Sequence, residues 1–161
     1  MTKCIVRNLE PSDYRPIIDL LDGWWDGRQM ALMLPRLFFT HFQQTSFLAE
    51  SDGERIGFLA GFLSQTYDNE AYVHFLGVCP DCRCQGAGSA LYASFFTAVR
   101  ASGRDTVRLA TSLLNRTSVA FHAHLGFALL PGDAEVDGVP YQSDYDGPGE
   151  DRVLFVKRLE A

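Results

Sequence analysis

Ala71-Tyr72-Val73-His74-Phe75-Leu76-Gly77-Val78-Cys79-Pro80-Asp81-Cys82-Arg83-Cys84-Gln85-Gly86-Ala87-Gly88-Ser89 is the stretch that decides how this chain is read. Its first eight residues are aromatic, aliphatic or small and predict a strand over 71–78. From Gly86 to Ala101 the apolar residues Leu91, Phe95, Ala98 and Val99 return at helical spacing and predict a helix. Between the two lies a short loop with Gly86 and Gly88 at its end. Without side chains there, backbone N–H groups can approach an anion closely, and the start of a helix favours negative charge. Each hydrogen bond to a charged group contributes about 1.5 to 3 kcal/mol, so a few amides can hold a diphosphate without a metal. Arg83 would add a countercharge at the rim. A tight turn that needs glycine explains the same residues, and the loop has neither the Gly-Lys-Ser/Thr ending of a P-loop nor a Gly-x-Gly-x-x-Gly run.

On the N-terminal side, Cys4 to Leu9 predicts a strand, and Pro11-Ser12-Asp13 opens a helix carrying Ile17, Leu20 and Leu21. Gln29 to about Phe42 predicts a second helix that Pro35 kinks or breaks. Ser46 to Glu50, the Asp52-Gly53 turn and Arg55 to about Gln65 read as a β-hairpin. On the C-terminal side, Thr106 to Thr111 predicts a strand, Asn115 to Leu125 a helix ended by Gly126, and Arg152 to Leu159 a last strand after a polar loop rich in Asp and Gly. Strands alternating with helices, without repeats or linkers, predict one α/β (α+β) layered domain over 1–161.

A net charge of −6 argues against nonspecific attraction to nucleic acid or to an anionic membrane surface as the main purpose. The longest apolar run, Gly57 to Leu63, is far short of the roughly 20 residues that cross a bilayer. The first residues, Met1 to Arg7, carry no signal-peptide hydrophobic region, so a soluble, cytoplasmic protein is expected. Four cysteines, three of them at Cys79, Cys82 and Cys84, do not make a secreted disulfide framework. Small-molecule chemistry is the expectation that remains.

Arg83-x-x-Gly86-x-Gly88 resembles the Arg/Gln-x-x-Gly-x-Gly/Ala signature of the GNAT superfamily of acyl-CoA N-acyltransferases. Gly77-Val78-Cys79-Pro80 resembles the end of that family's fourth strand. Asn115-Arg116-Thr117-Ser118-Val119-Ala120-Phe121-His122-Ala123-His124-Leu125-Gly126-Phe127 resembles its second segment, which closes in Leu-Gly-Phe. The resemblance implies a GNAT-like fold: a mixed, mostly antiparallel central sheet of about six to seven strands flanked by about four helices. It also implies acetyl-CoA as cosubstrate. The diphosphate would lie on the amides of Cys84, Gln85, Gly86, Ala87, Gly88 and Ser89, with the pantetheine arm along Leu76, Gly77 and Val78 and a further contact from Asn115. A small-molecule or peptide amine would be the acceptor and a homodimer the assembly.

The reaction this resemblance implies is attack of an amine on a thioester. An alkyl amine with a pKa of about 10.4 must first lose a proton, at a cost of about 4.6 kcal/mol at pH 7, so a base is needed. Protonating the leaving thiol, with a pKa of about 8.5, is worth only about 2 kcal/mol. His74, on the predicted strand with Tyr72, Leu76 and Val78 on one face and Val73, Phe75 and Gly77 on the other, is the candidate base or water-positioner. Glu70 at the strand's start is the second candidate. Asn115, Ser118 and His122 share one helical face that would look onto the coenzyme. His122 occupies the position where the family commonly has a tyrosine acid, which makes it the candidate acid and puts the usual acid in doubt; His124 is expected at the surface. Trp24, Trp25, Tyr67 and the loop Tyr141 to Tyr145 are candidates for an acceptor pocket, although aromatic residues serve a core equally well.

Two other readings compete. Cys79-x-x-Cys82-x-Cys84 beside His74 could hold zinc or act in redox chemistry, but only Cys4 lies elsewhere to complete a four-ligand site, and no metal is expected. The missing tyrosine instead favours a noncatalytic acyl-CoA-binding regulatory domain.

Overall fold

Asp52 and Gly53 both take positive φ, 50° and 79°. That is the geometry that lets a two-residue turn follow the twist of its strands. The turn joins β2 (Phe47–Ser51) to β3 (Glu54–Leu63), the hairpin expected from the sequence. Around it the computed structural model, which describes residues 3–83 and 85–161, builds a seven-stranded sheet in the order β1-β2-β3-β4-β5-β9-β6. The remaining strands of the sheet are β1 (Cys4–Asn8), β4 (Glu70–Val78), β5 (Thr106–Ser112), β6 (Ala128–Leu129) and β9 (Arg152–Arg158). Only β4 and β5 run parallel; every other neighbouring pair is antiparallel. β7 (Ala134–Val136) and β8 (Val139–Tyr141) form a separate two-stranded ribbon, with Val139 and Tyr141 packed on the core and Gln142 bridged to Arg152 of β9.

Four α-helices cover the sheet: α1 (Tyr14–Trp24), α2 (Leu37–Thr40), α3 (Ala87–Ala101) and α4 (Arg116–His124). The sheet divides the core in two. On one face α3 buries Leu91, Tyr92, Phe95 and Val99 against Phe47, Leu59, Val73, Val107 and Phe155. On the other, Ile17, Leu21 and Trp24 of α1 and Phe38 and Phe39 of α2 pack on Leu48, Phe58 and Phe75. In place of the helix expected over Gln29 to Phe42 there are one 3-10 turn at Ala31–Met33 and the single turn of α2, separated by Pro35. Proline removes a backbone donor and clashes with the preceding turn, which accounts for the interruption.

The strict alternation expected along β4 also needs correction. Ala60 pairs with Phe75 and Gly61 with Val73, so His74 is an extra residue in β4, a β-bulge. Past the bulge the faces exchange. Ala71 and Val73 point to the α3 core, but Phe75 points to the α1 and α2 core and Leu76 and Val78 to the α3 side. Val73, Phe75 and Gly77 therefore do not share a face.

A buried ionic knot ties the N-terminal strands together. Asp13, fully buried, accepts two hydrogen bonds from Arg7 (2.8 and 2.9 Å), two from Arg55 (3.1 and 3.2 Å) and one from the Glu10 backbone N–H (2.9 Å). Burial alone would raise its pKa; Arg7, the Glu10 N–H and Arg55 together outweigh that and hold the carboxyl below its ordinary value.

Candidate active site

The parallel pairing of β4 with β5 runs only from Glu70 opposite Thr106 to Val73 opposite Leu109. Beyond it β4 continues with β3 to Val78 and β5 continues with β9 to Ser112. The two strands thus part at the His74 bulge, and the β5-facing edge of Leu76, Gly77 and Val78 is released from the ladder. A bulge bends its strand and interrupts pairing, which is the physical cause of the opening.

At the far end of β4, one 3-10 turn (Pro80–Cys82) leads through Arg83 to α3. Gly86 is the helix's N-cap in the left-handed region (φ 87°) with no atom within 4 Å of where a Cβ would sit. The first helical hydrogen bond runs from Ala90 N–H to the Gly86 carbonyl (3.0 Å), and among the described residues no side chain caps the amides ahead of it. The N–H groups of Ala87, Gly88 and Ser89 therefore lie at the positive end of a fifteen-residue helix. Gly88 is small for a second reason: a Cβ there would come within 3.0 Å of the Phe121 ring on α4. Arg83, Gln85 and Ser89 are exposed around this cradle, and the Gln85 amide donates to the Asp81 carbonyl at 3.3 Å. Cys84 lies outside the described residues. The donor set fits a diphosphate, which needs several converging N–H groups and no protein carboxylate among them.

Asn115, Ser118 and His122 do share one face of α4, joined by hydrogen bonds. The Asn115 side chain caps the helix by accepting the Ser118 N–H (3.1 Å). Ser118 Oγ accepts from Thr111 on β5 (3.1 Å) and lies 3.2 Å from His122 Nδ1. His122 is only 3% exposed, enclosed by Tyr92, Phe121, Phe127 and Phe155. Its Nδ1–H donates to the Ser118 carbonyl (2.8 Å), and its Nε2 accepts from the Tyr92 hydroxyl (2.7 Å). Burial lowers its pKa to about 4. A neutral imidazole with both nitrogens engaged does not fit a proton-donating imidazolium, so this face runs from half-exposed at Asn115 and Ser118 to core at His122. Tyr92 is the residue that sequence reasoning missed, because its link to His122 joins two different helices. Burial raises the Tyr92 hydroxyl well above the ordinary tyrosine value, which keeps it a donor.

His74 lies on the α1 and α2 side of the opening. Its ring stacks on Phe38 (4.8 Å between centroids, planes 11° apart), and its Nε2–H donates to the Met33 carbonyl. A carbonyl can only accept, so the proton sits on Nε2 and Nδ1 keeps its lone pair. Tyr72 lies nearby, stacked on Phe62, with its phenol pushed up to about 12 by burial; Tyr145 and Asp146 add to this, and Arg152 opposes it. Glu70, the alternative base, is tied to Arg108 across the parallel pair at 2.9 Å. Trp24 stacks on Phe58 and Trp25 meets Phe75 edge-on, so both belong to the core under α1, whereas Tyr67 and Tyr145 are exposed. His124 is exposed, as expected.

Cys4, Cys79 and Cys82 are free thiols. Among the described residues no cluster of three His, Cys, Asp or Glu side chains could hold a metal, and no helix is long and apolar enough to cross a membrane. Burial first, then the Cys79 thiol, pushes Cys82 up, the opposite of an activated thiolate.

No curated protein matches the sequence. Among solved structures the fold is similar to Ard1 from Thermoplasma volcanium (TM-score 0.76, 19% identity, 98% of this chain and 99% of that one). It is similar to the diaminobutyrate acetyltransferase EctA from Paenibacillus lautus, solved with L-2,4-diaminobutyric acid and coenzyme A (TM-score 0.69, 21% identity, 97% and 95%). A further similar structure is yncA from Salmonella typhimurium with acetyl-CoA (TM-score 0.68, 16% identity, 99% and 95%). The profile of the Acetyltransferase (GNAT) family matches residues 9–127, most of the sheet together with the α3 cradle and the whole of α4. The chain belongs to the GNAT family of acetyltransferases.

Proposed function

We propose that residues 1–161 act as one N-acetyltransferase domain that moves an acetyl group from acetyl-CoA to the primary amine of a small molecule or peptide. The observation that carries this reading is the meeting of two features on one strand. β4 leaves β5 after Val73, and the uncapped α3 amides follow the end of that same strand. In this reading the amides of Gln85, Gly86, Ala87, Gly88 and Ser89, with Arg83 at the rim, bind the diphosphate. Leu76, Gly77 and Val78 bind the pantetheine arm through their released edge. Asn115 and Ser118, half-exposed at the start of α4, border it from the other side. Acetyl-CoA supplies an activated acetyl carbonyl.

His74 is the base in this reading. Met33 holds the ring in the tautomer with Nδ1 free, and that nitrogen, directly or through a water, takes the proton an attacking amine must lose. The acid is the lesser requirement, since a thiolate whose conjugate acid has a pKa of about 8.5 takes a proton from water near neutrality. Residues 131–151 contain seven Asp or Glu and no Lys or Arg; Arg152 pairs with Asp146 and Glu150 (2.7 and 3.1 Å) and Arg116 with Asp137 (3.4 Å), which leaves Asp133, Glu135, Asp144 and Asp151 without an Arg or Lys partner among the described residues. This supports a cationic amine as acceptor, since opposite charge steers encounter.

One observation favours the second reading, a noncatalytic acetyl-CoA-binding regulatory domain: the residue at the family's tyrosine position is a buried, neutral histidine. The test is release of free thiol from acetyl-CoA across a panel of small amines and peptide N-termini, beside a binding titration. Turnover on at least one amine supports the transferase. Binding without turnover on the whole panel supports the regulatory domain, and no binding refutes both.

A further inference from the structure

The Cys79-Pro80-Asp81-Cys82 motif is not used by the proposed reaction, yet it forms the hinge between the strand and the cradle. Cys79 is the last residue held to the sheet on this strand, its N–H donating to the Ile56 carbonyl at 2.8 Å. The chain then makes one 3-10 turn, closed by the Cys82 N–H donating to the Cys79 carbonyl at 2.9 Å. Such a turn brings the first and fourth Cα atoms to within about 7 Å, overlapping the span a disulfide bridges. Both thiols are free and half-buried. They are anchored differently, however: Cys79 packs with the core under α1, and Cys82 packs with the core under α3 on the opposite face of the sheet.

We propose that Cys79 and Cys82 form a reversible disulfide that reshapes the α3 cradle and weakens acetyl-CoA binding, a regulation that rests on the functional reading above. The oxidant is a low-molecular-weight disulfide such as glutathione disulfide. One cysteine thiolate attacks it and expels one glutathione thiolate. The second cysteine then attacks the mixed disulfide and expels the other. Two electrons pass from the dithiol to the oxidant, one S–S bond breaks as one forms, and the two thiol protons end on two glutathione thiols. Closing the bond fixes the two sulfurs about 2.05 Å apart. The turn must twist to bring together side chains rooted on opposite faces of the sheet, and the segment that follows, including Arg83, Gln85 and Gly86, moves with it. Because Cys82 is held protonated by burial and by Cys79, closure runs faster as pH rises.

The test uses the whole chain with Cys4→Ser and Cys84→Ser, so that only the hinge pair remains, and compares each protein with its own reduced state. After equilibration with glutathione disulfide, mass spectrometry of the peptide spanning both cysteines reads the bond as a loss of two hydrogens. Calorimetry with acetyl-CoA reads the cradle. The expected result is the internal bond, at least a 5-fold weaker affinity, recovery with dithiothreitol, and no oxidative change in affinity when Cys79→Ser or Cys82→Ser is added. Glutathione adducts without the internal bond, or the bond with affinity changed less than 2-fold, overturn the proposal. Reduced protein that binds no acetyl-CoA while still closing the bond overturns the functional reading and the regulation built on it, and leaves the dithiol chemistry standing.

Discussion

Replacing His122 by Phe separates a structural histidine from a catalytic one. The substitution leaves the fully buried Tyr92 hydroxyl without its 2.7 Å acceptor, and an unpartnered buried hydroxyl costs about 1 to 3 kcal/mol. Tyr92→Phe strands His122 Nε2 at a similar cost, whereas the double variant removes both polar atoms together. The expected double-mutant cycle therefore shows a favourable coupling on the order of 1 to 2 kcal/mol. The pH dependence has a definite sign. The native imidazole, with a pKa of about 4 against the ordinary 6.5, resists protonation, so its contribution to stability is complete above about pH 6.5 and is lost as pH falls toward 4. At about 1.36 kcal/mol per pH unit that window is worth about 3 kcal/mol. Urea unfolding followed by Trp24 and Trp25 fluorescence, at pH 7 and then at pH 4.5, reads the difference. Wild type loses more stability than the double variant, and kcat of the double variant stays within about 5-fold of wild type. A kcat drop of 100-fold at unchanged stability, or the loss of a pH-rate limb near neutrality, would make His122 the proton donor and refute the reasoning.

Other perturbations follow from the same geometry. Asp13→Asn breaks the ionic knot. Removing one partner of a buried pair costs about 3 to 5 kcal/mol, and because the side chains of Arg7 and Arg55 are 32% and 30% exposed and can rehydrate, about 2 to 4 kcal/mol is expected at pH 7 in chemical denaturation. The depressed Asp13 carboxyl stabilises above about pH 4 and ceases to as pH falls through its native value, so the gap between wild type and variant narrows in acid. Gly86→Ala strains a φ of 87° by about 1 to 2 kcal/mol without touching a neighbour, and Gly88→Leu drives into Phe121. Calorimetry is expected to show weaker acetyl-CoA binding in both, with a large drop in Tm only for Gly88→Leu. His74→Gln lowers kcat/KM at least 10-fold, while the acetyl-CoA Kd stays within 2-fold.

What could be read in advance was local. The Asp52-Gly53 hairpin, the strand and helix on either side of the glycine loop, and the Gly126 terminator (φ 94°) each depend on near neighbours in the chain, and each stands where it was expected. The bulge at His74 depends on the register between β3 and β4, which no single strand encodes, so the exchange of faces beyond it was invisible. The environment of His122 was hidden for the same reason, since its acceptor role is set by Tyr92, 30 positions away. β6 has two residues, and β7 and β8 have three each around an Asp137-Gly138 turn, too short for alternation to register in a polar, glycine-rich stretch. The face of α4 was read correctly as a unit, but spacing alone does not tell a ligand-facing row from one that turns inward.

Whether the α3 cradle and the released β4 edge receive acetyl-CoA is tested most directly by titrating the nitrogen-15-labelled protein with it and following backbone amide shifts. The account predicts saturable binding with the largest changes at Leu76, Gly77 and Val78 and at Gln85 to Ser89. A different surface depression of about 460 Å³ lies between β1 and α3, lined by Asn8, Phe47, Ala93 and Thr97. Shifts concentrated there with the cradle silent, or no binding at all, would contradict it.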